Sequence, residues 1–369
     1  MPTVRELHDD LAPLFGLPGR LYANDPARVA PIEPLERRRI RSFQKEGRLR
    51  LWVAERDGVP VGTISALRDD GYNSKKGESV AWFGFYEHID DAAVSAALLE
   101  PVLAQARAWG CERLRGPRNR TRFEHMGVTV EGHATLPPFM QSQHAPWYPA
   151  HLEALGFETH HDVLAYDTPV VDDLGRQREL PEPLRSQAAG CSIDGLEIRA
   201  AHRIRMGRDL RDAHRILDEA FATVPDISPM PIGQWLALGR TYLTVADPRL
   251  LQIAHVQGRP VAFAATFPEL NEAIRPMEGE LWPLGWLRSA LAARHMHTAS
   301  FKLIGVVPDL RGTGLHAALI DRVIRGVEQA GYTRLEASVI DARNEPMRAV
   351  VEGAGMRVYR RWRVFERPV

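Results

Sequence analysis

The chain of 369 residues carries 47 basic and 47 acidic side chains, so its formal net charge is zero and a salt-driven nucleic-acid binder is disfavoured. With 44% hydrophobic and 25% charged residues the composition is that of a folded globular protein, which excludes disorder as the main state and leaves room for two domains. Two cysteines, Cys111 and Cys191, are too few for a disulfide framework or a four-ligand zinc site, so no metal and a reducing cytoplasm are expected.

Only Lys45, Lys75, Lys76 and Lys302 among the cations are lysines, a bias read first as that of a GC-rich genome. Met1 to Leu14 sets charges at Arg5, Glu6, Asp9 and Asp10 where an export signal needs apolar residues. No run of about 18 apolar residues occurs, so neither export nor a membrane span is expected.

In chain order the first elements are two alternating strands, Leu51 to Leu67, joined at Gly58-Val59-Pro60. The same pattern returns at Leu251 to Phe267 around Gly258-Arg259-Pro260, which predicts the same hairpin twice. Phe83 to Leu114 aligns without gaps on Ile304 to Leu335, matching Gly84 to Gly305, Gly110 to Gly331 and Arg113-Leu114 to Arg334-Leu335. Each segment reads as strand, short loop, helix and strand. Leu155 to Pro169 matches Ala354 to Pro368 as a helix end followed by a strand. The expected division is a first lobe over 1–170, a Pro-rich linker over 171–192 and a second lobe over 193–369. The lobes differ in their insertions, Gly116 to Tyr148 in the first and Pro268 to Ser300 in the second, where function is expected to have been added.

The second strand–loop–helix unit carries Pro308-Asp309-Leu310-Arg311-Gly312-Thr313-Gly314-Leu315-His316 between its strand and its helix. Such a turn aims backbone N–H groups and the positive helix end at one point, which suits a pyrophosphate, and Arg311 adds a cation; the same residues also suit a plain tight turn. With its order of parts, this loop resembles the GNAT (Gcn5-related N-acetyltransferase) superfamily, whose Arg/Gln-x-x-Gly-x-Gly/Ala pattern is met by Arg311, Gly314 and, imperfectly, His316. Asn344 before the last helix and Gly355-Met356 match further family positions.

The resemblance implies an α/β (α+β) fold of two tandem lobes, each a mixed, mostly antiparallel sheet flanked by helices. It implies acyl-CoA as cosubstrate, bound by Arg311, Gly312, Thr313, Gly314, Leu315, His316 and Asn344. The pantetheine would run along the strand ending at Val306 and Val307, one of which would offer the oxyanion N–H. In the first lobe Asp90-Asp91-Ala92-Ala93 stand where Arg311 to Gly314 stand in the second, and two carboxylates repel a pyrophosphate. The first lobe is therefore expected to be structural or acceptor-binding.

Aminolysis of a thioester needs a base for the amine and an acid for the thiolate. The family's usual acid, a Tyr before the closing Gly, is replaced by Val351, which leaves Tyr359 on the last strand as the substitute, or as a packed aromatic. Glu336 and Ser338, on one face of a strand, are candidates for proton transfer, with an ion pair to an Arg the competing reading of Glu336. His297 and His295, ahead of the strand, read either as surface residues or as side chains that reach the acceptor.

The first insertion, with Pro137-Pro138-Phe139-Met140 and His144 to Tyr148, reads as interlobe packing or as an acceptor-pocket wall. Trp282, Leu284, Trp286 and Leu287 with Arg288 read as a core flap or as an interfacial segment making peripheral contact with the inner membrane. At a closer level the chain resembles bacterial tandem GNAT proteins that include ceramide synthases. That implies transfer to a small-molecule or lipid amine, a long-chain sphingoid base above all, without nucleic acid. An inactive coenzyme A-binding regulator and a tandem aminoacyl transferase using charged tRNA are the rival readings. The oligomeric state is not fixed by the sequence.

Overall fold

The structure is a computed structural model that describes residues 2–121, 124–221, 231–233, 235, 236, 239 and 247–369. The first repeat supplies β1 (Thr3–Leu7), β2 (Leu49–Arg56), β3 (Val59–Arg68), β4 (Val80–His88), β5 (Arg113–Gly116), β6 (Val128–Glu131) and β7 (Glu158–Pro169). The second supplies β8 (Leu196–Ala200), β9 (Leu251–Val256), β10 (Arg259–Pro268), β11 (Thr298–Val306), β12 (Arg334–Asp341) and β13 (Arg357–Pro368). Both expected hairpins form. Their turns place two successive residues at positive φ, Asp57 and Gly58 (51° and 75°) and Gln257 and Gly258 (50° and 82°), the geometry whose twist matches that of the flanking strands.

The strands make one mixed sheet in the order β1-β2-β3-β4-β5-β13-β7-β12-β11-β10-β9-β8, with β6 beside β13. Each repeat's last strand crosses over: β7 pairs with β12 of the second repeat, and β13 with β5 of the first. At the centre, Arg357 lies opposite Asp167 and Glu366 opposite Glu158. A shift of 199 residues carries 158 to 357 and 167 to 366, so it maps one pair onto the other. The two lobes are thus related by a pseudo-two-fold and share a continuous sheet.

In the second half, residues of odd number on β11 and β12 (Ala299, Phe301, Leu335, Ala337) pack with Leu319, Ile320, Val323 and Val327 of the helix Leu315–Gln329. Alternation turns Thr298, Ser300, Lys302, Glu336 and Ser338 to the opposite face. No described helix is long and apolar enough to cross a membrane. The expected linker is more than a spacer: it contains the helix Glu182–Ala189, which packs against the helix Leu315–Gln329.

Candidate active site

β11 and β12 run parallel and paired only from Thr298 to Phe301 and from Arg334 to Ala337. Beyond that β11 stays with β10 and β12 with β7, so the two strands diverge. Val307 donates its N–H to Val261 O (3.0 Å), and Gly305 and Leu303 lie opposite Phe263 and Ala265 on β10. By alternation the N–H groups of Val306 and Ile304 point into the gap. Of the two amides expected to serve an oxyanion, Val306 faces the gap and Val307 is held by the sheet.

At the end of β11, Gly312 and Gly314 adopt left-handed φ of 78° and 80°. The first helical bond runs from Ala318 N–H to Gly314 O (3.0 Å), so the amides of Leu315, His316 and Ala317 have no helical acceptor and point at the loop. These free donors fit a diphosphate. Thr313 Oγ1 donates to Leu310 O (2.8 Å), and the Leu315 side chain is buried in the core. Burial holds the half-buried His316 imidazole below its usual range. Arg311 donates to Ala220 O (2.5 Å), near the end of the helix Met206–Phe221. Asn344 caps the helix Glu345–Gly353 by accepting Met347 N–H (3.2 Å).

The same positions in the first lobe are filled by the chain itself. Asp91 accepts Ala93 N–H (2.8 Å) at the start of the helix Ala92–Ala108 and pairs with Arg56 (2.5 Å), which holds its carboxyl below the usual range. The chain after β5 lies along β4: Arg118 donates to Phe83 O (2.7 Å), and Phe85 N–H donates to Asn119 Oδ1 (2.7 Å). A Cβ on Gly84 would collide with the Arg118 carbonyl. Phe85 is the counterpart of Val306, so the amide that faces an open gap in one lobe is already bonded in the other.

Beside the second-lobe gap lies a cluster of buried polar groups. Ser300 Oγ is bonded to Glu336 Oε2, and Lys302 Nζ reaches Ser338 Oγ (2.7 Å) and Glu336 Oε2 (3.6 Å). Glu269, just after β10, belongs with them: Lys302 and Glu336 both act on its charge, and burial pushes its carboxyl up to about 7. Its Oε1 accepts the N–H groups of Phe139 (2.8 Å) and Asn271 (3.0 Å), while Asn271 Nδ2 donates to Pro137 O (2.8 Å). The first insertion therefore closes over this cluster through Pro137 and Phe139, while its Tyr148 end packs in the first-lobe core.

Glu269 Oε2, Glu336 Oε1, Thr266 Oγ1 and Thr298 Oγ1 are buried with no hydrogen-bond partner among the described residues. Buried polar atoms are nearly always paired, so two unpaired carboxylate oxygens in one cluster, Glu269 Oε2 and Glu336 Oε1, leave acceptors open to a ligand group.

Tyr359 stands at a bulge of β13 and is half-buried, with the Arg334 guanidinium 4.8 Å from its ring centre. Burial and the charge of Glu336 push its hydroxyl well above the usual range, so it carries a proton at neutral pH. Glu336 and Ser338 lie in the cluster; the ion pair of Glu336 is with Lys302 rather than with an Arg. His297 sits at the other end of β11, exposed and 3.4 Å from Glu272. Sequence reasoning missed Glu269 and Lys302. Among the described residues no group of three or more His, Cys, Asp or Glu side chains is placed to hold a metal ion.

No protein-family model matches the chain. Protein YghO of Escherichia coli is 26% identical over 373 residues, spanning 98% of this chain and 93% of that protein. The bacterial ceramide synthase of Caulobacter vibrioides is 27% identical over 371 residues, 97% of this chain and 94% of that one. Among solved structures, a tandem GNAT protein from the clavulanic acid biosynthesis pathway superposes with a TM-score of 0.56 at 13% identity, covering 100% of this chain and 98% of that one. The chain has the tandem GNAT fold. A GCN5-related N-acetyltransferase from Sphaerobacter thermophilus has the GNAT fold as well, with a TM-score of 0.54 at 16% identity and coverage of 100% and 95%.

The buried imidazoles of the first GNAT lobe make stability depend on pH. Burial pushes His88 and His125 down to about 4 and His144 to about 3, from an ordinary 6.5. Below pH 6.5 the unfolded chain takes up protons that the folded chain refuses, so stability present above 6.5 is lost as pH falls toward 4. Glu87 and Glu269, both pushed up to about 7 by burial, act the other way between 4.5 and 7. At pH 5 each imidazole costs about 2 kcal/mol, and three of them roughly match or exceed the two carboxyls. His160 and His161, both pushed down to about 4, add to the same side and decide the sign. Thermal denaturation is expected to give a Tm roughly 5 °C lower at pH 5 than at pH 7; an equal or higher Tm at pH 5 would contradict this balance.

Proposed function

We propose that the protein is an acyl-CoA-dependent N-acyltransferase with a single coenzyme A site in the second lobe. The observation that carries this reading is the buried polar cluster beside the β11–β12 gap, with the carboxylate oxygens Glu269 Oε2 and Glu336 Oε1 unpaired. The diphosphate lies on the amides of Leu315 to Ala317 with Arg311 at hand, and the thioester reaches into the gap past Val306. Glu269 takes the proton from the attacking ammonium group, since a base with a pKa near 7 is matched to neutral pH. The amine nitrogen then bonds to the thioester carbon, and Val306 N–H receives the developing oxyanion. The carbon–sulfur bond breaks, the departing thiolate is protonated from Tyr359, the hydroxyl that stands in for the family's Tyr, and the extra proton on the new amide nitrogen returns to the tyrosinate. Val351, at the family position, is buried in the core and has no proton to give.

The acceptor in this reading is a long-chain amine of the sphingoid-base type. Its support is the likeness to bacterial ceramide synthase along nearly the whole chain, together with the apolar surface of the second insertion. Incubation with acyl-CoA of graded chain length and a long-chain amine is expected to release free thiol and amide in equal amounts. Tight coenzyme A binding with no thiol release for any amine would favour a non-catalytic coenzyme A-binding protein instead.

A further inference from the structure

Among the described residues eleven large hydrophobic side chains are exposed, and five of them fall within ten positions of the second insertion: Trp282, Leu284, Trp286, Leu287 and Leu291. The other six are scattered over the molecule. Trp282 is 73% exposed and Trp286 49%, and their ring centres are 6.4 Å apart. A concentration of this kind is uncommon on a soluble surface and marks a place of contact.

The segment is held in place from within. Trp286 donates its backbone N–H to Leu281 O (3.1 Å) and its indole N–H to Pro283 O (3.1 Å). Gly285 is buried where a Cβ would collide with the Glu280 carbonyl, and Met277 is buried beneath. The aromatic rings are therefore displayed by an ordered platform, with the indole polarity satisfied locally.

The charges decide what the platform meets. From Leu281 to His297 the chain contains Arg288, Arg294, His295 and His297 and no acidic residue. Of the acidic residues just before it, Glu269 is buried in the site and Glu272 accepts the His297 N–H (2.8 Å), which leaves Glu278 and Glu280 at the surface. Trp and Leu flanked by Arg are matched to the interface of an anionic bilayer, where rings sit among headgroups and guanidinium groups meet phosphate. The insertion that carries this face also carries Glu269.

We propose that the Trp282–Leu291 face seats the protein on an anionic lipid bilayer, from which the amine acceptor is drawn. The origin of the acceptor rests on the acyltransferase reading; the docking itself is measured without turnover. The full chain is expected to co-sediment with vesicles of phosphatidylglycerol and phosphatidylethanolamine. Binding to pure phosphatidylcholine vesicles should be several-fold weaker. The double variant Trp282→Ala, Trp286→Ala should bind the anionic vesicles at least tenfold less, with unchanged affinity for coenzyme A as the check that it is folded. Three outcomes overturn the proposal: a wild-type protein that stays in the supernatant, a variant that binds equally well, or a homodimer that the double variant dissociates. Vesicle binding without thiol release would overturn the acyltransferase reading and leave the docking face standing.

Discussion

Replacing Glu269 by Gln is expected to lower kcat by about 10²- to 10⁴-fold, the usual span for loss of a general base. Gln keeps the oxygen that accepts the N–H groups of Phe139 and Asn271, so the local fold has what it needs. What is lost is the oxygen that could accept a proton. The wild-type rate should fall as pH drops through about 7, because protonation of this buried carboxyl removes the base. In the Gln variant that acid limb should disappear from the pH–rate profile. Thiol release measured from pH 5.5 to 9 in both proteins checks the assignment. A Gln variant with near-normal rate, or with the limb intact, would move the base to another residue, Glu336 first.

The second expected result concerns the phosphate loop. Gly312→Asp should weaken coenzyme A binding by about 100-fold or more, since a carboxylate beside a diphosphate is worth several kcal/mol where solvent is displaced. Gly312 is the position to change because a Cβ there meets nothing within 4 Å, and its φ of 78° is one that Asn and Asp tolerate best among non-glycine residues. Gly314 would confuse the outcome, since a Cβ there would stand 2.5 Å from Gln187 O of the linker helix. Gly312→Asn is the matched control: it carries the same backbone strain without the charge and should cost less than about tenfold. Equal losses for Asp and Asn would mean that backbone strain, and not charge, is being measured.

The first lobe has in effect made the Asp change already. Asp91 caps its helix where the second lobe leaves the amides of Leu315 to Ala317 free. The alignment of Asp90-Asp91 with Arg311-Gly312 was legible in the sequence, because the repeat runs without gaps through this unit. The hairpins were legible for a related reason: alternating strands around a Gly-containing turn leave few other conformations open.

The exchange of the last strands was not legible. β7 and β13 show the same local pattern whichever half they complete, and the choice between neighbours lies in contacts more than a hundred residues apart in sequence. Glu269 was hidden in the same way. In sequence it is an acidic residue opening a short helix in an insertion, and its carboxyl takes a backbone N–H from Phe139, 130 residues earlier, only in the folded chain. Lys302 did carry a signal. In a chain whose cations are almost all Arg, Lys302 stands out on the strand beside the gap, where its ammonium meets the Ser338 and Glu336 oxygens. Asn344 shows the opposite case, a motif position whose side chain is engaged as a helix cap.

Equilibrium titration of the full chain with coenzyme A tests the central claim most directly, that one lobe alone holds the ligand. One site per chain is expected in the wild-type protein, and its loss in Gly312→Asp. Two sites per chain, or a single site that survives Gly312→Asp with unchanged affinity, would contradict that claim.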